Sequence, residues 1–591
     1  MTGFMNSGWG LGRRHGVALA AVLVAAGLAL PAAASPQSTA PVGVAVGADT
    51  GLGQVPARVQ GMPGLEAALA AAGDEALAAF YAARGYAPLW SKGAGVFAPS
   101  RARALQAAVR GAEDHALPTR RYQPDALAAA LAAPWKAEAE LLFTEVFLSY
   151  ARDLTSGAME PRRTARAIRV QPIRPERLSL LDDLARARDV PALLVGYAPA
   201  DAEYGRLLDE YARFRAMPAD AWGPPVPSGR SLEEGDRSPR VALLRARLQA
   251  MGDLPRDPIV AAPAGSGGVV LAAAETSSIA PEPALPDATL TDATLFDAAL
   301  ADAVRRFQAR HGLNVDGVVG PATRGALNAG PRERALQLAV NLERMRWNNG
   351  RLTGHRIEAN LPDFRVVILD QEQVVFETRT VVGKYRHQTV EFSDTMEYFV
   401  VNPTWHVPMS IARKEILPQL RDNPNYLEER NMSLVGADAS LVDWQLIEPA
   451  DFPGRIRQAP GPGNALGQVK FMFPNDYAIY LHDTPQRGLF RRDNRAYSHG
   501  CVRLEKPLEL AYYLMQHSKD GIDDPERQFA RWRRTEREIY VHLDEDMPVH
   551  ILYRTAFEGE DGTLQFRNDV YRRDAAVADA MAKAGVAIPD V

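Results

Sequence analysis

Cysteine is almost absent from this sequence: Cys501 is the one thiol among 591 residues. A lone cysteine excludes an internal disulfide framework and any C-x-x-C metal or redox pair. Stability must then come from ordinary core burial, which a chain of this length can supply across several domains. An excess of positive charge is also missing. The formal net charge of −5 provides no basic surface for nucleic acid. Glycine clusters between Gly461 and Gly467, yet the Gly-Lys-Ser/Thr ending and following helix of a phosphate loop are absent. The apolar run near the N-terminus, Val17 to Leu30, is short for a membrane span.

That run follows Arg13 and Arg14 and precedes Pro31-Ala32-Ala33-Ala34-Ser35. Residues 1–34 therefore read as a secretory signal with an Ala-x-Ala cleavage site. The expectation is a periplasmic protein exported by the general route, or one held at the inner membrane if the signal stays uncleaved. No cysteine stands at the end of the apolar run, which speaks against a lipid anchor of the bacterial lipoprotein kind. In an oxidising compartment a single thiol also avoids being trapped within its own chain as a disulfide.

A thiol attacks as thiolate and needs a base or positive potential beside it. Two histidines are available in sequence. His499 lies in Tyr497-Ser498-His499-Gly500-Cys501-Val502-Arg503, and His482 ends the apolar run Ile479-Tyr480-Leu481-His482. The second reads as a buried strand whose rigid end suits a base, so His482 is the expected proton acceptor and His499 an orienter of the loop. The carbonyl of Asp483 could fix the His482 tautomer. Gly500 permits a tight turn in which the amides of Gly500 and Cys501 converge on an oxyanion. Tyr480 shares a strand face with His482. Arg503 could bind a substrate carboxylate or lock the loop. Two blander alternatives are a buried structural cysteine and a zinc site of His482, His499 and Cys501; the latter lacks a fourth ligand and a paired-ligand spacing. The thiol chemistry needs no metal and no cofactor.

His482 followed by Ser498-His499-Gly500-Cys501-Val502-Arg503 resembles the signature of YkuD-type L,D-transpeptidases, cysteine enzymes of peptidoglycan. The resemblance implies Cys501 as nucleophile and His482 as base, and peptidoglycan stem peptides as partners: a tetrapeptide donor and a diaminopimelate acceptor, in the company of other cell-wall synthesis proteins. It also implies that Asn402-Pro403-Thr404-Trp405 is a turn at the edge of the substrate groove, with Trp405 a wall for the stem and Ser498 beside it. The outcome could be a 3→3 cross-link, L,D-carboxypeptidase or endopeptidase trimming, or lipoprotein anchoring. A non-catalytic wall-binding scaffold is the remaining alternative.

The expected fold is a multidomain α+β chain. After a small-residue tether at 35–62, residues 63–222 carry helical periodicity and resemble the scaffold region of the large periplasmic members of that family. Residues 236–330 resemble a three-helix peptidoglycan-binding module, interrupted at 255–292 by an Ala/Pro/Gly/Ser/Thr insertion that reads as disordered. Helical periodicity at 331–356 is expected to return to the scaffold. A β-rich catalytic domain follows at 357–556, starting with a hairpin across Gln371-Glu372 and interrupted by a helical, charged lid at 411–459. Residues 557–591 should add a strand and a terminal helix.

Overall fold

A computed structural model of the protein describes residues 61–92, 95–96, 99–255, 292–518 and 521–587. The expected signal, nearly all of the tether and the insertion inside 255–292 lie outside the described residues.

Alanine- and leucine-rich segments with three- and four-residue apolar spacing form helices Leu65–Ala72, Glu75–Ala83, Ser100–Arg110, Pro124–Leu131, Ala137–Ser156, Arg177–Arg186 and Ala202–Ala216. The first six share one core, in which the other five meet Phe143, Phe147, Tyr150 and Leu154 of Ala137–Ser156. Glu140 of that helix is fully buried. It accepts hydrogen bonds from the Trp90 amide (3.2 Å), the Tyr81 hydroxyl (3.2 Å), the Trp135 indole (3.0 Å) and the Leu89 amide. A buried carboxylate is tolerated only with such donors. The aromatic patches around Tyr81 and Trp90 are therefore core.

Helices Pro239–Met251, Ala298–Arg310 and Pro321–Asn328 enclose Leu244, Leu248, Phe296, Val304, Phe307 and Leu327 as a separate small core. Asp297 caps the second of them through the Leu300 amide (2.8 Å). The chain then returns through Pro331–Trp347, which packs on Ala202–Ala216 and Ala137–Ser156.

The strands are β1 (Arg356–Asn360), β2 (Arg365–Asp370), β3 (Gln373–Gly383), β4 (Phe392–Val401), β5 (Trp405–His406), β6 (Met432–Val435), β7 (Arg455–Gln458), β8 (Val469–Met472), β9 (Leu481–His482), β10 (Ala496–Ser498), β11 (Val502–Leu504), β12 (Ile539–Leu552), β13 (Ala556–Glu558) and β14 (Leu564–Phe566). Nine of them form one sheet in the order β10-β3-β11-β9-β8-β4-β12-β1-β2, and a further β2–β3 pairing closes it on itself. Closure leaves few free edges and a single interior. The core of this sheet holds Ile357, Val366, Phe399, Phe471, Leu481, Val502 and Val549, and Leu510, Ala511, Leu514 and Met515 of helix Pro507–Gln516 belong to the same cluster. The hairpin β2–β3 turns at Gln371 and Glu372, both at positive φ (48° and 65°), the twist that a two-residue hairpin requires.

Strand β12 carries an irregularity between His542 and Met547 that absorbs its polar residues. One expectation needs correction. The 411–459 insertion is not simply helical: β6 and β7 lie within it and join β5, just before it, in a small sheet, because Met432–Val435 and Arg455–Gln458 alternate buried and exposed side chains. Downstream of residue 557 lies the rest of the β13–β14 hairpin, followed by helix Arg573–Ala584. Both join the helical module, as Phe566, Val577 and Met581 share a core with Phe214, Trp222 and Leu338.

Candidate active site

Cys501 sits immediately before β11, which runs parallel to β9 with Val502 opposite Leu481 and Arg503 opposite His482. Side chains alternate along a strand. Leu481, Val502 and Leu504 point into the sheet interior, so Tyr480, His482, Cys501 and Arg503 share the other face. The Tyr480 and His482 rings lie 5.6 Å apart.

The His482 ring is 4% exposed. Its Nδ1 pairs with the Asp483 carbonyl at 2.5 Å, so Nδ1 carries the proton and Nε2 is left as an acceptor. Burial, reinforced by the nearby Arg503 charge, lowers its pKa to about 3, and the imidazole is neutral at physiological pH. The Asp483 carboxylate is held in turn by the amides of Gln468 (2.8 Å) and Thr484 (2.6 Å) and by Arg487 (2.8 Å). Gly467 passes over that carboxylate at φ 62°, where a Cβ would lie 2.3 Å from it. The glycine-rich loop thus supports the base rather than a ligand phosphate.

Burial raises the Cys501 thiol pKa, while the Tyr480 backbone and side chain and the Arg503 charge pull it down. Its Sγ donates to the Ala478 carbonyl at 3.5 Å. Thiol and imidazole are thus both neutral at rest and share a face, and the thiol's hydrogen bond runs to Ala478 rather than to His482. Arg503 donates to Gln486 Oε1 at 2.6 Å, which ties it to the loop after β9.

Two expected roles change, those of Ser498 and of the Gly500 amide. Ser498 is 2% exposed; its hydroxyl donates to the Cys501 carbonyl (2.6 Å) and accepts from the Gly500 amide (3.1 Å). Ser498 braces the loop instead of meeting substrate. The same bond occupies the Gly500 amide, which is therefore not an oxyanion donor in this arrangement, although Gly500 does adopt φ 127°. His499 reaches out of the loop: its Nε2 meets Glu415 Oε1 (2.5 Å) and Lys384 Nζ (3.2 Å). Glu415 lies on a π-turn at Ala412–Ile416 in the lid, an irregularity common at functional sites. Trp405 pairs with Gln458 in the lid sheet and packs on the lid core, because β5 is the strand at which the lid is rooted.

Sequence reasoning missed the support behind the loop. Thr389 Oγ1 donates to the Gly500 carbonyl (2.8 Å) and accepts from the Gly383 amide (3.0 Å). Arg573, 1% exposed, holds the Thr389 carbonyl (2.5 Å) and Glu391 (2.7 Å). The C-terminal helix thereby buttresses the thiol loop from 72 residues away, a distance at which no local pattern signals contact. Among the described residues no group of three or more His, Cys, Asp or Glu side chains could hold a metal ion, and no helix is long and apolar enough to cross a membrane.

Fold and site together define a multidomain α+β protein whose closed sheet presents a cysteine and a neutral histidine on one face. Residues 354–549 match the family described as the L,D-transpeptidase catalytic domain, YkuD; residues 75–210 match a scaffold domain, and residues 286–327 a "Putative peptidoglycan binding domain". The chain thus carries a match to each of these three modules, the catalytic one over about a third of its length. A curated relative from Haemophilus influenzae, "Putative L,D-transpeptidase", is 34% identical over 258 residues, covering 41% of this chain and 48% of that protein. The chain therefore spans about half the length of the relative it matches. Among solved structures, an L,D-transpeptidase from Xylanimonas cellulosilytica is 14% identical, covering 55% of this chain and 99% of that one, at a TM-score of 0.15. One from Stackebrandtia nassauensis is 11% identical, covering 56% and 96%, at 0.19. Scores this low do not define the fold of this chain.

Proposed function

We propose that the protein is an exported peptidoglycan L,D-transpeptidase that forms 3→3 cross-links through a thioester on Cys501. The observation that carries this reading is the common face of Cys501, Tyr480, His482 and Arg503, with His482 Nε2 left as an acceptor. Substrate entry would turn Sγ from the Ala478 carbonyl toward that nitrogen. Sγ then attacks the carbonyl between the L-centre of diaminopimelate and the terminal D-alanine, and His482 takes the thiol proton. When the C–N bond breaks, that proton passes to the departing D-alanine amine and the acyl group remains on sulfur. The side-chain amine of a second stem attacks the thioester, loses its proton to His482 and restores the thiol.

Arg503 keeps positive potential beside the sulfur throughout, and Tyr480 supports its anionic form. The lid, joined to the thiol loop through Glu415 and His499, would limit water so that an amine rather than hydroxide resolves the acyl group. Residues 1–34 would direct the chain to the periplasm, where the peptidoglycan-binding module presents it to the wall.

The test is incubation with purified tetrapeptide muropeptides and mass spectrometry of the products. Cross-linked dimers that disappear with Cys501→Ala support the reading. Tripeptides alone would make the protein a carboxypeptidase, and unchanged muropeptides would leave only a wall-binding role.

A further inference from the structure

A cleft of about 380 Å³ opens between the helical module and the catalytic sheet, and no residue of the thiol face lines it. Its walls carry Arg169 from the helical module, Arg351 after helix Pro331–Trp347, Ser393 and Asp394 from β4, and Asp476 and Tyr477 from the loop between β8 and β9. The volume falls in the range of small-ligand sites. Two arginines and two aspartates thus line one space.

The wall is built rather than incidental. Arg351 is held by the Gln171 carbonyl (2.5 Å), and its Nε is buried with no hydrogen-bond partner. Asp394 is oriented by the Thr395 amide (2.8 Å). Behind Ser393 stands His550, 5% exposed, with Nδ1 on the Ser393 hydroxyl (2.8 Å) and Nε2 unpartnered. A simple anion in this cleft would meet Asp394 and Asp476, and a simple cation would meet Arg169 and Arg351. A group with a carboxylate and an ammonium on one carbon satisfies both pairs.

One wall of the cleft also reaches the thiol. Asn475 cinches its loop by donating to the carbonyls of Phe473 (2.6 Å) and Ile479 (2.8 Å) and accepting from the amides of Tyr477 (3.0 Å) and Ile479 (3.2 Å). These four bonds tie the two ends of the loop together, which gives a displacement at Asp476 and Tyr477 a path to Ala478. Ala478, at φ 53°, ends it and presents the carbonyl that holds Cys501 Sγ.

We infer that this cleft is a binding site for a dipolar α-amino-acid group, and that filling it shifts the Ala478 carbonyl beside Cys501. Two sources share that chemistry: a free amino acid, and the side-chain end of a diamino acid in a stem peptide. The second source rests on the transpeptidase reading; the site itself does not.

Calorimetric titration of the purified full chain with D-alanine and, separately, with meso-diaminopimelate tests the site, with acetate and methylamine as single-charge controls. Saturable binding of a dipolar probe is expected, weakened about tenfold or more by Arg169→Gln and by Asp476→Asn, and neither control should compete. Binding of D-alanine assigns a free amino acid; binding of diaminopimelate alone assigns the stem. Absence of binding by both probes, or equal affinity in the variants, overturns the site. Both substituted side chains lie at least partly at the surface, and thermal melts matching the parent's establish that the variants are folded. The rate of Cys501 alkylation by iodoacetamide reads the coupling. A saturating probe should change it severalfold in the parent chain and leave it unchanged in Asp476→Asn. An equal effect in both would place the probe at the thiol and contradict the inference. None of these readouts requires transpeptidation, so failure here is distinguishable from failure of the proposed function.

Discussion

Replacing Tyr480 by Phe removes one hydroxyl from the thiol's surroundings and keeps the ring that packs near His482. The Tyr480 side chain is one of the groups that hold the Cys501 pKa down against burial. A hydrogen bond to a charged group contributes about 1.5–3 kcal/mol, and one pKa unit corresponds to about 1.36 kcal/mol. Loss of the hydroxyl should therefore raise the thiol pKa by about 1–2 units. The alkylation rate at neutral pH should not fall by the full factor, because a more basic thiolate is also more nucleophilic, with a Brønsted slope of about 0.4–0.5. The net expectation is a fall of about 3–10-fold at neutral pH, together with an upward shift of the midpoint in the pH–rate curve. Measuring the second-order rate constant for iodoacetamide from about pH 6 to about pH 11, around the ordinary thiol value, gives both numbers. An unchanged midpoint, or one that moves down, would mean that Tyr480 does not stabilise the thiolate and that the common-face arrangement has been misread.

Three further outcomes follow from the same geometry. His482 and His550 are buried and His115, at the end of the turn Ala112–His115, is half-buried, with pKa values lowered to about 3, 4 and 4 respectively, chiefly by desolvation. The unfolded chain binds protons to them near pH 6.5, so their contribution is fully present above that value and is lost as pH falls toward 4; Tm should drop over that window, and a flat profile would refute it. Ser498→Ala leaves the Gly500 amide without its buried acceptor and should cost about 1–3 kcal/mol in denaturant unfolding, with the alkylation kinetics of Cys501 altered as well; unaltered kinetics would refute the bracing role. Arg573→Met strands Glu391 in a buried site and should destabilise by about 3–5 kcal/mol, which a thermal melt will show; a shift of under one degree would refute the buttress.

What could be read in the sequence was whatever depends on near neighbours. The β2–β3 hairpin announced itself through two alternating apolar runs around Gln371-Glu372. The order Tyr480-Leu481-His482 was enough to put tyrosine and histidine on one side of a strand. Long-range geometry was not legible. Nothing in Ser498-His499-Gly500 says which polar side chain turns inward, and in the fold Ser498 turns in while His499 turns out to Glu415. The neighbours of Trp405 are set by β7, about fifty residues later, which its own turn does not announce. Arg573 shows the same limit: an arginine in a terminal helix reads as a solvated charge until folding buries it against Glu391 and Thr389.

The central claim is that the sulfur of Cys501 carries the acyl group. The most direct test is the intact mass of the protein after incubation with a tetrapeptide donor and no acceptor, followed by peptide mapping. The account predicts an adduct of the donor stem lacking its terminal D-alanine, located on the peptide containing Cys501 and absent from Cys501→Ala. Continued cross-linking by Cys501→Ala, or an adduct on any other residue, would contradict it.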